Sequence, residues 1–497
     1  MTVKDITAMC KAGNVVQAYE MAKTGLSTSP QDVWAQRKMG WALYYMLKID
    51  IEHKSDVDFF NHFEEFVSLD LLTVNADSLI FDSVLWRLAE FIKGIPKDNI
   101  GEIDRLFPLF NKYVFSPSKG YSFLLKSCLG FETWRQLVVF FEWWNLDNLL
   151  PEDYQQFKLA NGRKVMSLAE QAYIAYSKAL LRLGNKDKIR EFLPKIEKLM
   201  EDYPDMMYPG YFCGKLMLAM GAAREDALNI VMSFVRKKQS DFWIWQLLSE
   251  IYKDDADICL ACLLRAIHCK TQEEFLGKVR MRLVELYLSR NDYCRAKYHL
   301  DKVVRCYEQQ GWHYPYNVLH WLKESWTQNV ETDQSDGIDY KRITDKILLH
   351  GTQESIAVVT HVNAESKRAV IVYGKKKRVG IKLQKLKFKV SNGCLLKIYW
   401  LPAQKEEISI VEADLIRTEI PDCPYIKRIR SRVLKSDNKP FAFIEGERIN
   451  CFISPVIVQK YHLNKGDEIT ALAVYDYNKK KEDWSWVCVS VEGILKR

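Results

Sequence analysis

Residues 439–444 read Lys-Pro-Phe-Ala-Phe-Ile, and residues 450–454 read Asn-Cys-Phe-Ile-Ser. Alternation of the rings with a small residue has the two-residue period of a β-strand, so Phe441 and Phe443 are predicted on one face of a strand. Phe452, on the next strand, can join them. Three outward rings would form a surface on which unpaired bases stack. The alternation also permits the opposite orientation, with Phe441 or Phe443 facing the interior.

The sequence on either side of these strings continues the pattern. Arg-Ser-Arg-Val at residues 430–433 precedes them, and Leu-Asn-Lys-Gly-Asp-Glu-Ile at residues 463–469 follows them. The whole resembles a cold-shock or S1-type oligonucleotide-binding (OB) barrel over about 65 residues. In that family a Lys-Gly-Phe-Gly-Phe-Ile strand pairs with a Val-Phe-Val-His-Phe strand. The resemblance implies that Phe441, Phe443 and Phe452 bind bases, with Arg432, Lys435 and Lys439 beside them.

Several positions depart from the family pattern. Pro440 and Ala442 replace its two glycines, and Ser454-Pro455 stand where His and Phe are usual. The Trp and Phe of the family's first strand correspond to Lys435 and Ser436. We therefore expect a stacking surface of only two or three rings.

A similar β pattern precedes this module. Short runs rich in β-branched residues occupy residues 355–360, 369–373, 379–383 and 395–399, with turns between them. Tyr373 takes the place of the phenylalanine string, and Lys375, Lys376, Lys377 and Arg378 follow on the connection. Four adjacent positive charges on a hairpin tip would contact phosphates without regard to base sequence. A merely solvated surface is the alternative.

The basic character of the chain belongs to this C-terminal third. Residues 341–497 contain 30 Lys or Arg against 18 Asp or Glu, whereas the whole chain contains 72 against 64. Residues 1–340 are therefore slightly acidic. A positive end on a near-neutral body favours a module that binds a polyanion.

Residues 1 to about 327 read as consecutive helices. Small and aromatic positions recur at a period near 35 residues, for example Leu283, Tyr287 and Ala296, then Trp245, Leu248 and Ala261 one period earlier. Two helices and a tight turn at this period are typical of tetratricopeptide repeats. The predicted fold is thus multidomain, with an all-α tetratricopeptide-like solenoid followed by two small all-β OB-fold (S1/cold-shock-like) barrels.

The domain boundaries follow from changes in these patterns. Residues 1–160 are predicted to form tetratricopeptide-like and irregular helical hairpins, and residues 161–327 helical repeats with a capping helix. Residues 328–340 are predicted to be a linker, and the two barrels to occupy residues 341–418 and 419–497. The aromatic cluster from Phe131 to Trp144 is interpreted as core, with a partner-binding groove as the alternative.

No motif for catalysis is recognisable. The sequence lacks a Gly-rich phosphate loop, His-Glu-x-x-His and Gly-x-Ser-x-Gly, so we expect neither enzymatic activity nor a cofactor. Cys259 and Cys262 have no second pair at zinc-ligand spacing, so a metal site is not expected. Scattered cysteines, a polar start and no long apolar segment favour a cytoplasmic protein.

Helical repeats followed by S1/cold-shock-like barrels resemble the scaffold components of bacterial TOTE conflict systems, which are predicted defence loci. The resemblance implies that the barrels hold single-stranded DNA or RNA while the repeats recruit protein partners, such as a primase, helicase or nuclease effector. An RNA chaperone or translation-associated factor is one alternative. A purely protein–protein interaction scaffold is another, and salt dependence of binding would distinguish it. The predicted nucleic-acid-binding residues are Phe441, Phe443, Phe452, Lys439, Lys435, Arg432, Tyr373, Lys375, Lys376, Lys377 and Arg378.

Overall fold

The computed structural model describes residues 1–162, 164–328, 330–403, 408–417, 423–445, 450–478 and 482–496. The chain divides into two compact units, residues 1–253 and residues 254–497. No helix in the described ranges combines the length and the apolar composition needed to cross a bilayer.

The first unit is helical apart from one short two-stranded sheet. Its helices are α1 (Val3–Lys11), α2 (Val15–Thr28), α3 (Val33–His53), α4 (Asp56–Val67), α5 (Ser78–Gly94), α6 (Ile100–Phe110), α7 (Lys119–Cys128), α8 (Leu137–Trp144), α9 (Leu168–Leu183), α10 (Lys186–Asp202), α11 (Pro209–Met220), α12 (Arg224–Lys237) and α13 (Phe242–Ile251). The sheet consists of β1 (Phe157–Lys158) and β2 (Lys164–Val165), which pair antiparallel.

The aromatic residues of this unit form its core. Phe131, Trp134 and Trp144 are at most 1% exposed, and Trp134 donates its indole N–H to the Asp104 carboxylate at 2.6 Å. This burial confirms that the cluster is core and leaves little of it for a partner. Gly214 of α11 lies against Val231 of α12, so a side chain at position 214 would collide with the neighbouring helix.

The second unit begins with helices and continues with two β modules. The helices are α14 (Ala256–Ile267), α15 (Gly277–Leu288), α16 (Tyr293–Gln310), α17 (Tyr316–Trp321) and α18 (Tyr340–Leu348). Leu283, Tyr287 and Ala296, three of the positions that suggested a repeat, are buried here. The assignment of the whole helical region to tetratricopeptide repeats stays a prediction.

The stretch expected to be a linker is bound to these helices. The Arg295 guanidinium lies 2.7 Å from the Asp333 carboxylate, and the Tyr287 hydroxyl donates to the Asp336 carbonyl at 3.1 Å. His268 of α14 lies 3.0 Å from the Asp336 carboxylate. The chain then enters α18, which packs on α14, so residues 340–348 are helical and the first β module starts after them.

The first β module is a five-stranded sheet with the order β5-β4-β3-β6-β7. Its strands are β3 (Gln353–Asn363), β4 (Arg368–Gly374), β5 (Lys377–Lys382), β6 (Leu395–Pro402) and β7 (Ile408–Leu415). A closed barrel was expected, but β5 and β7 remain the two edges of an open sheet in the part of the chain that is described. The prediction of two barrels is corrected to one open sheet and one barrel.

The second β module is a closed five-stranded barrel. Its elements are β8 (Ile426–Lys435), β9 (Ala442–Ile444), β10 (Cys451–Ile453), α19 (Pro455–Lys460), β11 (Glu468–Asn478) and β12 (Asp483–Leu495). The order around the barrel is β10-β12-β11-β8-β9, and β9 pairs with β10 to close it. Five strands in this order, with a helix between the third and the fourth, form the OB fold that the resemblance implied.

The two β modules share a hydrophobic core, which the sequence did not predict. Val358 and Val372 of the first module pack with Leu472, Val474 and other residues of the second. Tyr425 bridges the two modules by donating its hydroxyl to the Ile356 carbonyl at 2.7 Å. Gly393 approaches the Ser490 hydroxyl so closely that a Cβ would lie 2.5 Å from it. This packing fixes the orientation of one module relative to the other.

Candidate nucleic-acid interface

Strands β9 and β10, together with the residue just before β9, present the three phenylalanines on the outside of the barrel. Ala442 and Ile444 are buried in the barrel core, and Phe443 between them points outward and is half-buried. Cys451 and Ile453 are buried in the same way, so Phe452 also points outward. The two-residue period of the strands therefore decides which side chains are core and which are surface.

The rings of Phe441, Phe443 and Phe452 form a compact triangle, which we call the ring platform. Phe443 lies directly opposite Phe452 in the β9–β10 pairing, and their ring centroids are 5.7 Å apart. Phe441 completes the triangle at 5.8 Å from Phe443 and 5.6 Å from Phe452. Of the two orientations that the sequence allowed, the structure has the outward one.

Leu434 extends the ring platform and was missed in the sequence. It lies on β8 directly opposite Phe443, and its side chain is 44% exposed. The two-residue period of a strand could have identified it. Leu434 follows the buried Val433 and therefore lies on the outer face of β8. An apolar side chain here widens the surface against which a base can pack.

The predicted cations near the platform lie in different environments. The Lys439 ammonium is 5.5 Å from the centre of the Phe441 ring, so it is placed to meet a phosphate beside a stacked base. Lys435 instead donates to the Leu463 carbonyl at 3.2 Å and, with Pro440, lines a groove of about 420 Å³. Arg432 is exposed on β8, across from Glu468.

Two other arginines of β8 are engaged in ion pairs. The Arg428 guanidinium lies 2.6 Å from the Glu492 carboxylate, and that of Arg430 lies 2.9 Å from Glu468. Glu468 lies across from Arg432 but is paired with Arg430. Within the described residues, the Arg432 side chain therefore forms no ion pair, unlike those of Arg428 and Arg430. It is therefore the better phosphate ligand of the three.

Tyr373 lies in the core of the first module and not on its surface. Its side chain is 7% exposed, its ring packs edge-on against Trp400 at 5.6 Å, and burial raises the pKa of its hydroxyl. A base cannot stack on a ring that is covered by the protein. We therefore remove Tyr373 from the candidate interface.

The hairpin between β4 and β5 carries the predicted basic residues. Lys375, Lys376 and Lys377 are exposed, and we call them the basic tip. Lys376 has a φ of 60°, a left-handed conformation that a tight turn requires. Arg378 differs from them, because its guanidinium lies 3.6 Å from the Asp476 carboxylate and donates to the Tyr477 carbonyl at 3.4 Å. Its charge serves this contact between modules and is not free for phosphate.

The described residues contain no group of three or more His, Cys, Asp or Glu side chains that could hold a metal ion. Cys259 and Cys262 are buried in α14, where burial raises the pKa of both thiols. Burial thus disfavours the thiolate forms of both residues, which are the forms that bind a metal ion.

Two protein families match parts of the chain. Residues 427–491 match the S1/CSD-like domain 2 of the TOTE conflict systems, a range that runs from β8 into β12. Residues 207–346 match a domain of unknown function, DUF7017. No curated protein matches the chain. The barrel is thus similar to a domain of the systems that the sequence pattern suggested.

Proposed function

We propose that this chain is a non-catalytic scaffold that holds a single-stranded nucleic acid on its C-terminal β modules. The ring platform carries the proposal. Three half-buried rings lie together on β9, on β10 and just before β9, with Lys439 and Arg432 near them. They combine the stacking surface and the positive charge that sequence-tolerant single-strand binders use. The similarity of residues 427–491 to an S1/CSD-like domain supports the same assignment.

We further propose that the helical region recruits protein partners and that the protein acts in a bacterial defence system of the TOTE type. Helical repeats provide extended surfaces for peptides or partner helices, which suits the assembly of a primase, helicase or nuclease effector around a bound strand. The similarity to the TOTE domain favours this setting over a role in translation.

The test is a fluorescence-anisotropy titration of the full chain with labelled single-stranded DNA, single-stranded RNA and duplex at two salt concentrations. We expect one of the single strands to bind more tightly than duplex, with an affinity that falls as salt rises. The double variant Phe441→Ala/Phe443→Ala should bind that strand more weakly. Tyr316→Ala is the matched control, because Tyr316 is an aromatic residue of α17 that is 84% exposed.

Absence of binding to every oligonucleotide would refute the proposal and favour a protein-docking role for the β modules. Salt-sensitive binding that the double variant retains in full would place the strand elsewhere on the basic third. Preference for RNA over DNA would favour work on transcripts, and preference for DNA would favour defence against invading genomes.

A further inference from the structure

The hairpin of β4 and β5 carries two exposed cations at the end opposite to the basic tip. Arg368, the first residue of β4, lies directly opposite Lys382, the last residue of β5. Their neighbours Ala369 and Ile381 are buried in the core of the first module, so Arg368 and Lys382 lie on the outer face of the sheet. Directly opposite residues of antiparallel strands have Cβ atoms about 4.5–5.5 Å apart. We call these two residues the cation pair.

No acidic side chain offsets the repulsion within the cation pair. Neither Arg368 nor Lys382 forms an ion pair within the part of the chain that the structure describes, and the exposed Glu365 of the preceding turn pairs with neither of them. Like charges directly opposite each other destabilise a sheet. The cation pair therefore costs stability, and an anion bound between the two charges would turn their repulsion into attraction.

Other cations on the strands of the two modules have acidic partners. Lys397 of β6 lies directly opposite Asp414 of β7, and its ammonium is 2.8 Å from the Glu354 carboxylate. Arg428 and Arg430 of β8 are in the ion pairs described above. The cation pair differs from these residues because its charges remain uncompensated.

Asn363 adds a third donor to the cation pair. It is the last residue of β3 and lies directly opposite Arg368, so Asn363, Arg368 and Lys382 form one row across three strands. The Asn363 Oδ1 accepts a hydrogen bond from the Ser366 N–H at 2.9 Å. This bond orients the amide and leaves its NH₂ group as a donor.

The next row on the same face leaves space beside these donors. It consists of His361, Val370 and Gly380, and a Cβ at Gly380 would meet no atom within 4 Å. Val372, four residues after Arg368 on β4, lies on the same face and packs against the second module. At about 3.4 Å per residue, that packing begins about 14 Å from the cation pair.

We infer that the row of Asn363, Arg368 and Lys382 is a binding site for a backbone phosphate of the single-stranded nucleic acid. This inference rests on the proposed function and names a part of the first module that contacts the strand. A guanidinium, an ammonium and an amide NH₂ offer only donors, and a phosphate offers acceptor oxygens with negative charge. Contacts of this kind hold the backbone without reading the bases. Because the second module packs on the same face, one strand can extend from this row to the second module.

The first experiment titrates the full chain with the labelled single strand that the wild-type chain binds, at several concentrations of sodium chloride. Arg368→Gln/Lys382→Gln should reduce the slope of log affinity against log salt by about 0.7 for one phosphate, which corresponds to about fivefold in affinity for each tenfold decrease in salt. Lys397→Gln is the matched control, because its charge is already used on Glu354. A double variant with the wild-type slope, or a control with an equal loss, would overturn the inference.

Thermal melting of the free protein tests whether the cation pair costs stability. Lys382→Glu places a carboxylate opposite Arg368, so its midpoint should be at or above that of the wild-type chain. The same variant should bind the strand more weakly than Lys382→Gln does. Stability and affinity are thus expected to change in opposite directions. A fall in both would show that Lys382 acts through folding, and the phosphate role would be wrong.

A third measurement separates a backbone phosphate from a free phosphate ion. Inorganic phosphate replaces chloride at constant ionic strength, and the midpoints of the wild-type chain and of Arg368→Gln/Lys382→Gln are compared. A larger rise in the wild-type chain, together with an unchanged salt slope in the double variant, would assign the row to a free phosphate ion and overturn the inference. Failure of the proposed function looks different, because the wild-type chain would then bind no labelled strand.

Discussion

The two β modules have the same order of strands, although only the second closes into a barrel. They use their aromatic residues in opposite ways. In the first module Tyr373, on the second strand, points inward and packs against Trp400. In the second module Phe443, also on the second strand, points outward and joins Phe441 and Phe452. The aromatic ring on the second strand is thus buried in the core of the first module and lies on the outer surface of the second.

The cores explain the difference. Among the described residues, the buried core of the closed barrel consists of aliphatic residues and cysteines, such as Ile444, Ile453 and Ala471, and contains no buried aromatic ring. The open sheet instead buries the large side chains of Tyr373 and Trp400. Because side chains alternate across a strand, a ring can serve the core or the surface but not both. Under the proposed function, the first module would contribute affinity through its lysines and the second through its rings.

The largest expected effect concerns the buried ring. Tyr373→Ala should destabilise the first module by about 3–5 kcal/mol, because it leaves a cavity beside Trp400. Chemical unfolding of the full chain, followed by tryptophan fluorescence, would measure the loss. A small effect, under about 1 kcal/mol, would show that Tyr373 is not core and would remove the contrast between the modules.

Phe443→Ala should mainly weaken nucleic-acid binding, whereas Tyr373→Ala should mainly lower stability. We expect a loss of about 1–3 kcal/mol in the binding of single-stranded nucleic acid, the range for one stacked base, with little change in the unfolding midpoint. Anisotropy titration and thermal melting of the same sample would separate the two effects. A variant that loses stability and keeps its affinity would place Phe443 in the core, as in the first module.

A smaller effect is expected at the contact between the modules. Tyr425→Phe removes the hydrogen bond to the Ile356 carbonyl and should cost about 0.5–1.5 kcal/mol of folding free energy. Burial raises the pKa of Tyr425 to about 12, above its ordinary value of 10.0. The neutral hydroxyl is therefore favoured in the folded state, and its contribution is complete below pH 10 and is lost as pH rises towards 12.

Unfolding measured between pH 8 and pH 11 would test this contact. The wild-type chain should lose stability at the alkaline end more steeply than Tyr425→Phe does. Equal slopes would mean that the hydroxyl is solvated in the folded protein and that the modules are joined by their apolar core alone.

The smallest effect at moderate salt is expected from the basic tip. Replacing one of Lys375, Lys376 and Lys377 by Gln should reduce the slope of log affinity against log salt by about 0.7 for each phosphate of a single strand that is no longer neutralised. Titrations at several salt concentrations would measure the slope. Lys465→Gln is a suitable control, because Lys465 is an exposed lysine in the turn before β11. A tip variant with the control's slope would show that the tip binds no phosphate.

Much of the candidate interface was predictable from the sequence, because it depends on local periodicity. The alternation of Phe441, Ala442 and Phe443 predicted a strand with its rings on one face, and the run from Lys375 to Arg378 predicted a basic hairpin tip. Tyr373 was misplaced for a related reason. The two-residue period assigns the side chains of a strand to two faces. It does not predict which of the two faces is covered by another part of the chain.

The sequence by itself determined the helical first part, the change to β-structure and the basic character of the C-terminal third. These features follow from patterns within a few residues and from composition. Only the tertiary structure decided that the β modules share a core, that residues 330–339 bind to the helices, and that Arg378 pairs with Asp476. Such contacts join residues that are far apart in the chain: Arg295 and Asp333 are 38 positions apart, and Arg378 and Asp476 are 98 positions apart. They form only when the chain is folded and distant segments pack against each other. Patterns within a few residues of sequence do not predict such contacts.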